Sequence, residues 1–251
     1  MASIFKVLCY SLILIGIFSS GCFAAEANNH RPVTAQARLT TLDKQNIDLI
    51  TLFYGERAGK RATAWRQTLH QLSDHDEKVK GQTPLVSDSE KLKGINDFFN
   101  QLQFIDDTVL WNETDYWATP SEFIGVGGGD CEDFSLAKYF SLLSLGVDDE
   151  KLRLVYVKAL TLNQFHMVVA YYPHSAAVPL LLDNLDGEIK PATERPDLLP
   201  IYSFNGSQLW LMKQKGQGQL AGDAAKLSAW NDVRLRNTEQ QLRRPAINLD
   251  E

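Results

Sequence analysis

The chain has 251 residues, 44% of them hydrophobic, with 25 Lys and Arg against 31 Asp and Glu and a formal net charge of −6. That length and apolar content suffice for one sizeable core, so one compact domain is the expectation. The acidic balance argues against nucleic acid or an anionic membrane as partner, since both select a basic surface.

Residues 1–24 read as an export signal, with one early positive charge at Lys6, an apolar run from Val7 to Phe18, and a small-residue exit at Cys22-Phe23-Ala24. The run is shorter than the roughly 20 residues that span a bilayer. Cleavage after Ala24 delivers the chain to a periplasm or a similar exported compartment. A lipoprotein carrying lipid on Cys22 is the alternative, weakened by Ser19, which stands where a Leu-like residue is wanted. Without Lys6, 24 basic residues face 31 acidic ones, a net charge of −7. Cys9 and Cys22 leave with the signal, so Cys131 is the lone cysteine of the mature chain. In an exported protein such a residue is a reactive thiol, an intermolecular bridge or an inert core residue.

A helical stripe runs through Leu39, Leu42, Ile47, Ile50, Leu52 and Phe53, and Trp65, Leu69 and Leu72 continue it after a break near Gly55 and Gly59. Residues 81–84 form a loop. Ser87 and Glu90 then make a capping box that opens a helix through Leu92, Ile95, Phe98, Phe99 and Leu102. His70 and His75 fall on polar helical faces and read as solvated. Residues 104–123 are aromatic and acidic with no clean period, which predicts an ordered loop. Trp111 and Trp117 within it either line a substrate groove or cap a core.

The most informative stretch is Gly127-Gly128-Gly129-Asp130-Cys131-Glu132-Asp133-Phe134. The glycines allow a sharp turn and leave the backbone open to a substrate. Asp130 is a good N-cap, so a helix is predicted from Cys131 to a stop at Gly146. Free N–H groups and the positive end of the helix dipole lower the pKa of a thiol placed there.

Beyond this helix the period changes to alternation, predicting strands over 152–158, 164–172 and 178–183. His166 lies in the second and Asp183 ends the third. On neighbouring strands they can pair, with the other ring nitrogen toward the thiol, as a nucleophile–base–orienter set requires. Taken singly each has a plainer reading, a satisfied core histidine and a turn-capping aspartate. The helix-start cysteine tips the balance. His174, in a loop after Pro173, is the rival base but lacks a rigid element to hold it.

Asp130, Glu132 and Asp133 surround the thiol position with negative charge, which opposes thiolate formation unless it is compensated. A divalent cation would neutralise it, and the oxygen-rich set suits calcium, with Asp115 and loop carbonyls near Asn112 and Tyr116 completing the site. The spacing is not that of an EF-hand, and carboxylates that merely cap the helix are the alternative. Zinc on Cys131 lacks a second Cys or a close His at usual ligand spacing.

The block Gly129-Asp130-Cys131-Glu132-Asp133-Phe134-Ser135-Leu136-Ala137-Lys138, the later His166 strand and the Asp183-Asn184 strand end resemble the bacterial transglutaminase-like cysteine peptidases, in particular periplasmic members that release biofilm adhesins. The resemblance runs from about residue 40 to 215. It implies an α+β, papain-like core with the nucleophile helix packed on an antiparallel sheet, preceded by extra N-terminal helices. It also implies a catalytic triad of Cys131, His166 and Asp183, dependence on Ca2+, and cleavage beside paired alanines near the N-terminus of a large surface adhesin. Inhibition by the periplasmic domain of an inner-membrane cyclic-di-GMP receptor follows from it as well. Rival readings are an amine-accepting transglutaminase, a cell-wall amidopeptidase and a binding module that has kept an old active site.

Toward the C-terminus, residues 191–200 predict a proline-rich connection, 201–212 a last strand, 216–222 a flexible break, and 224–243 a polar helix with a loose tail. The expected organisation is therefore a signal at 1–24, a protease domain at 25–215, and a helix and tail at 216–251.

Overall fold

A computed structural model describes residues 39–73, 86–212 and 218–250. The expected signal, the loop at 81–84 and His75 lie outside them. The N-terminal helices form where the apolar stripe predicts, and the first opens with a capping box of its own. Thr40 accepts from the Asp43 N–H and Asp43 from the Thr40 N–H, opening α1 (Thr41–Tyr54). Gly55, with φ +99°, breaks the chain into α2 (Glu56–Leu72). Gly59, expected at that break, lies inside α2. Ser87 and Glu90 form the predicted box at the start of α3 (Asp88–Phe99). His70 is not a solvated residue, because its Nε2 is 2.7 Å from Asp43 Oδ2. Burial alone would raise the Asp43 pKa, but hydrogen bonds from Thr40 and His70 outweigh it and bring it to about 2.

The segment expected as a loop carries short elements: β1 (Gln103–Phe104), α4 (Asp107–Leu110) and α5 (Pro120–Val126). Thr119 and Glu122 cap α5, and Pro120 stands at its first turn, where the missing N–H has no penalty. Both tryptophans are buried in hydrophobic clusters. Trp111 packs with Leu110, Ala118 and Val126, and Trp117 stacks on Phe204 with centroids 5.9 Å apart.

The glycine run becomes β2 (Gly128–Gly129), which pairs in parallel with β1, and α6 (Cys131–Ser144) follows at once. Gly127 ends α5 in the left-handed region at φ +87°. Gly128 and Gly129 are buried, which corrects the expectation of backbone left open to a substrate. A Cβ at Gly128 would sit 2.5 Å from the Gln103 carbonyl oxygen, and one at Gly129 would sit 2.2 Å from Asp133 Oδ2. Close packing excludes any side chain here.

The remaining strands are β3 (Leu152–Ala159), β4 (Gln164–Tyr171), β5 (Leu180–Leu182), β6 (Lys190–Pro191), β7 (Leu198–Phe204), β8 (Gln208–Leu211) and β9 (Gln219–Asp223). They form one antiparallel sheet in the order β6-β5-β4-β3-β7-β8-β9. Alternation divides it into two faces. Leu154, Met167, Val169, Leu182 and Phe204 meet Phe134, Ala137, Tyr139 and Leu142 of α6 in the main core, while Val155, Val157, Val168, Ala170 and Leu181 form a second cluster. The single last strand expected over 201–212 is instead the β7–β8 hairpin. It turns at Asn205-Gly206, where Asn205 Oδ1 accepts from the N–H groups of Ser207 and Gln208.

The helix expected over 224–243 is α7 (Ser228–Glu239). It is not an appendage to a domain ending at residue 215, since Trp230 and Val233 are buried in the main core and Trp230 stacks on Phe140 at 5.6 Å. The tail after it is held rather than loose. Tyr54 Oη donates to the Arg243 carbonyl at 2.6 Å, and Ala246 N–H donates to the Leu110 carbonyl at 2.7 Å. Arg61 grips Asp250 through both terminal nitrogens at 2.7 and 2.9 Å. No helix among the described residues is long and apolar enough to cross a membrane.

Candidate active site

Cys131 is the first residue of α6 and is half-buried. Its position follows from the preceding turn. The Gln103 N–H donates to the Gly127 carbonyl at 3.3 Å and the Ile105 N–H to the Gly129 carbonyl at 2.9 Å, so β1 pins the glycines and fixes where the helix begins. Asp133 ties the same turn from inside. It is wholly buried and accepts from the N–H groups of Ala118 at 2.7 Å and Asp130 at 3.4 Å.

The thiol donates to Glu132 Oε2 at 2.7 Å, and the Met167 N–H of β4 points at the sulfur. The expected lowering of its pKa at the helix start does not prevail. Burial, followed by the charges of Glu132 and Asp130, pushes the Cys131 thiol up, and the Met167 N–H offsets this only in part.

His166, one residue before Met167, is 4% exposed. Its Nε2 lies 2.7 Å from Asp183 Oδ1, directly after β5, so the two strands make the pair that their order predicts. Asp183 is 1% exposed. Its Oδ1 also accepts from the Leu185 N–H at 3.0 Å. Burial works to raise its pKa, but the bond and charge of His166, the Leu185 N–H and the neighbouring Arg195 prevail and hold it at about 2. A carboxylate ionised throughout the neutral range accepts only, so Nε2 carries the proton and Nδ1 is the basic nitrogen. His174 is exposed in a turn, away from such a partner.

The acidic side chains that converge are Asp107, Asp130 and Glu132, with one oxygen from each within 4.8 Å of the others. This differs from the predicted set at three residues. Asp133 is occupied by backbone N–H groups. Asp115 accepts from Trp117 Nε1 at 2.9 Å and acts on the cluster as a neighbouring charge. Asp107 is the residue the sequence did not point to, since it lies 23 positions before Asp130 with no local spacing signal.

Hard oxygen donors without cationic partners fit a divalent cation. None of the three forms an ion pair with Lys or Arg among the described residues, and the buried Asp107 Oδ1 and Asp130 Oδ1 lack any hydrogen-bond partner. Burial, then the neighbouring carboxylates, raises Asp130 to about 11. Burial likewise leads the rise of Asp107 to about 7. Positive charge arriving here would favour their ionised forms.

A helix-start cysteine packed against an antiparallel sheet that carries a buried His–Asp pair defines a transglutaminase-like α+β hydrolase framework. The comparisons agree with it. The chain belongs to the bacterial transglutaminase-like cysteine proteinases, whose family pattern matches residues 67–215. It is similar to Legionella pneumophila LapG in its EGTA-treated form, at 38% identity over 78% of this chain and 97% of that one, with a TM-score of 0.66. The calcium-bound form of Legionella pneumophila LapG is likewise 38% identical over 77% of this chain and 98% of that one, with a TM-score of 0.63. No curated protein matches.

Proposed function

We propose that this chain is a periplasmic, calcium-dependent cysteine endopeptidase that cuts the N-terminal region of a large cell-surface adhesin beside paired alanines. Release of the adhesin would favour biofilm dispersal, and the periplasmic domain of a LapD-type cyclic-di-GMP receptor would hold the enzyme in check. The observation that carries the reading is the buried His166–Asp183 pair one residue from the Met167 N–H that faces the Cys131 sulfur. Calcium in Legionella LapG, a relative at 38% identity, supports the metal.

In the proposed reaction His166 Nδ1 takes the thiol proton, the sulfur attacks a peptide carbonyl, and His166 returns the proton to the leaving amine. Asp183 fixes the tautomer, and the Cys131 N–H at the helix start is one oxyanion donor. Glu132 competes with His166 for the thiol proton, since it already accepts that hydrogen bond. Asp107, Asp130 and Glu132 would hold the cation, with Asp115 adding charge beside them, and a bound Ca2+ supplies the positive charge that a thiolate here requires.

The test offers the protein three substrates: an adhesin N-terminal fragment with paired alanines, a cell-wall peptide, and an amine donor with a glutamine acceptor. Cleavage of the fragment alone, lost in Cys131→Ala, is the expected result. Turnover of either other substrate would assign the amidopeptidase or transglutaminase reading. Fragment binding without turnover would leave a binding module.

A further inference from the structure

We propose that Arg195 is a positioning residue that acts on His166 through Asp183. Its catalytic consequence rests on the peptidase reading above, while its effect on the imidazole does not.

Arg195 follows the short turn Ala192–Glu194 after β6 and is 6% exposed. Its Nη1 lies 2.8 Å from Asp183 Oδ2, close as an ion pair although not aligned as a hydrogen bond. The rest of the guanidinium is anchored elsewhere, with Nε 3.0 Å from Asp197 Oδ1 and Nη2 2.8 Å from Asp197 Oδ2. The two oxygens of Asp183 are thus divided, Oδ1 to the imidazole and Oδ2 to the guanidinium.

This division has two effects. A guanidinium held on Asp197 keeps its charge beside Oδ2 and so leaves Oδ1 to Nε2. A permanent cation on Oδ2 also means that Asp183 does not depend on an imidazolium for its counter-charge. Left with His166 alone, a buried carboxylate would favour the protonated ring, which has no free lone pair to take the thiol proton. The charged groups facing Asp183 are His166 from β4, Arg195, and Lys138 from α6. Asp197 faces it at longer range through Arg195. Burial draws the Lys138 amine down to about 7 despite Asp183, so its charge there is weaker than the permanent one of the guanidinium.

The experiment follows the His166 ring by NMR across pH in wild type, Arg195→Met and Arg195→Lys, with His166→Gln used to assign the signal. Arg195→Met is expected to raise the imidazole pKa by about one unit. It should lower kcat on the fragment while KM holds, by up to about tenfold at pH values below both imidazole pKa values and by little well above them. Arg195→Lys, which keeps the charge and loses the fork, is expected to leave the imidazole pKa near wild type. Arg195→Gln reads the same neutralisation if the methionine variant does not fold. An unmoved imidazole in a folded neutral variant, or a lysine variant shifted as far as the neutral one, would reduce Arg195 to a loop anchor. An imidazole shift in a protein that cleaves no fragment would sink the peptidase reading and leave the positioning role standing.

Discussion

Glu132 sets the state of the thiol. It is the next residue after Cys131, it takes the hydrogen bond from the sulfur, and its charge is the first cause after burial that pushes the thiol up. The same geometry makes a metal-free prediction. In Glu132→Gln the nearest negative charge is gone, so the thiolate becomes easier to form. Alkylation of Cys131 by iodoacetamide in chelator should run roughly tenfold faster than in wild type, the equivalent of one pKa unit. An equal or slower rate would mean that burial alone controls the thiol. Residues of this kind were readable from the sequence because Asp130, Cys131 and Glu132 are neighbours in it. Asp107 and Arg195 were not, since only the fold brings them to Asp130 and Asp183.

At the level of elements, the site hangs on one turn. β1, β2 and the start of α6 are locked by backbone bonds and by the buried Asp133, which leaves no volume at Gly129. Gly129→Ala would place a methyl on Asp133 Oδ2 and drive that carboxylate off the Ala118 and Asp130 N–H groups. Overpacking of this sort costs about 2 kcal/mol, so Tm should fall by about 4–8 °C for a domain of this size. A melting curve that superimposes on wild type would show that Asp133 can move freely. The helices and strands that build the frame were legible where a single rule governs them. The apolar stripe marked α1, a capping box opened α3, and alternation marked β3 and β4. The 104–123 segment was opaque because α4 and α5 are too short to display a period. The β7–β8 hairpin was missed although Asn205-Gly206 is a strong turn signal, because the apolar residues on both sides read as one run.

On the scale of the whole molecule, the C-terminal segment closes the helical layer over the site's supports. Arg236 pairs with the buried Glu122 at 2.7 Å and donates to the Trp117 carbonyl at 2.6 Å, holding the loop that leads from Asp115 to α5. Arg61 donates to the Ile124 and Gly125 carbonyls while gripping Asp250, which ties the chain's end to the same turn. Removing one partner of a buried pair such as Arg236–Glu122 costs about 3–5 kcal/mol. None of this was visible in the sequence, where residues 224–250 show a polar helix and scattered arginines, and where Glu122 and Trp117, the partners of Arg236, lie over a hundred positions away. The helical layer built around Cys131 therefore sets a cluster of carboxylates beside the thiol, while the sheet carries the buried His–Asp pair.

The most direct measurement is cleavage of the paired-alanine adhesin fragment by the wild-type protein, in calcium, in chelator, and in chelator followed by excess calcium. Cleavage lost on chelation and recovered on calcium addition is the predicted result. Undiminished cleavage in chelator would contradict it, and would leave Asp107, Asp130 and Glu132 as buried acids with no part in activating Cys131.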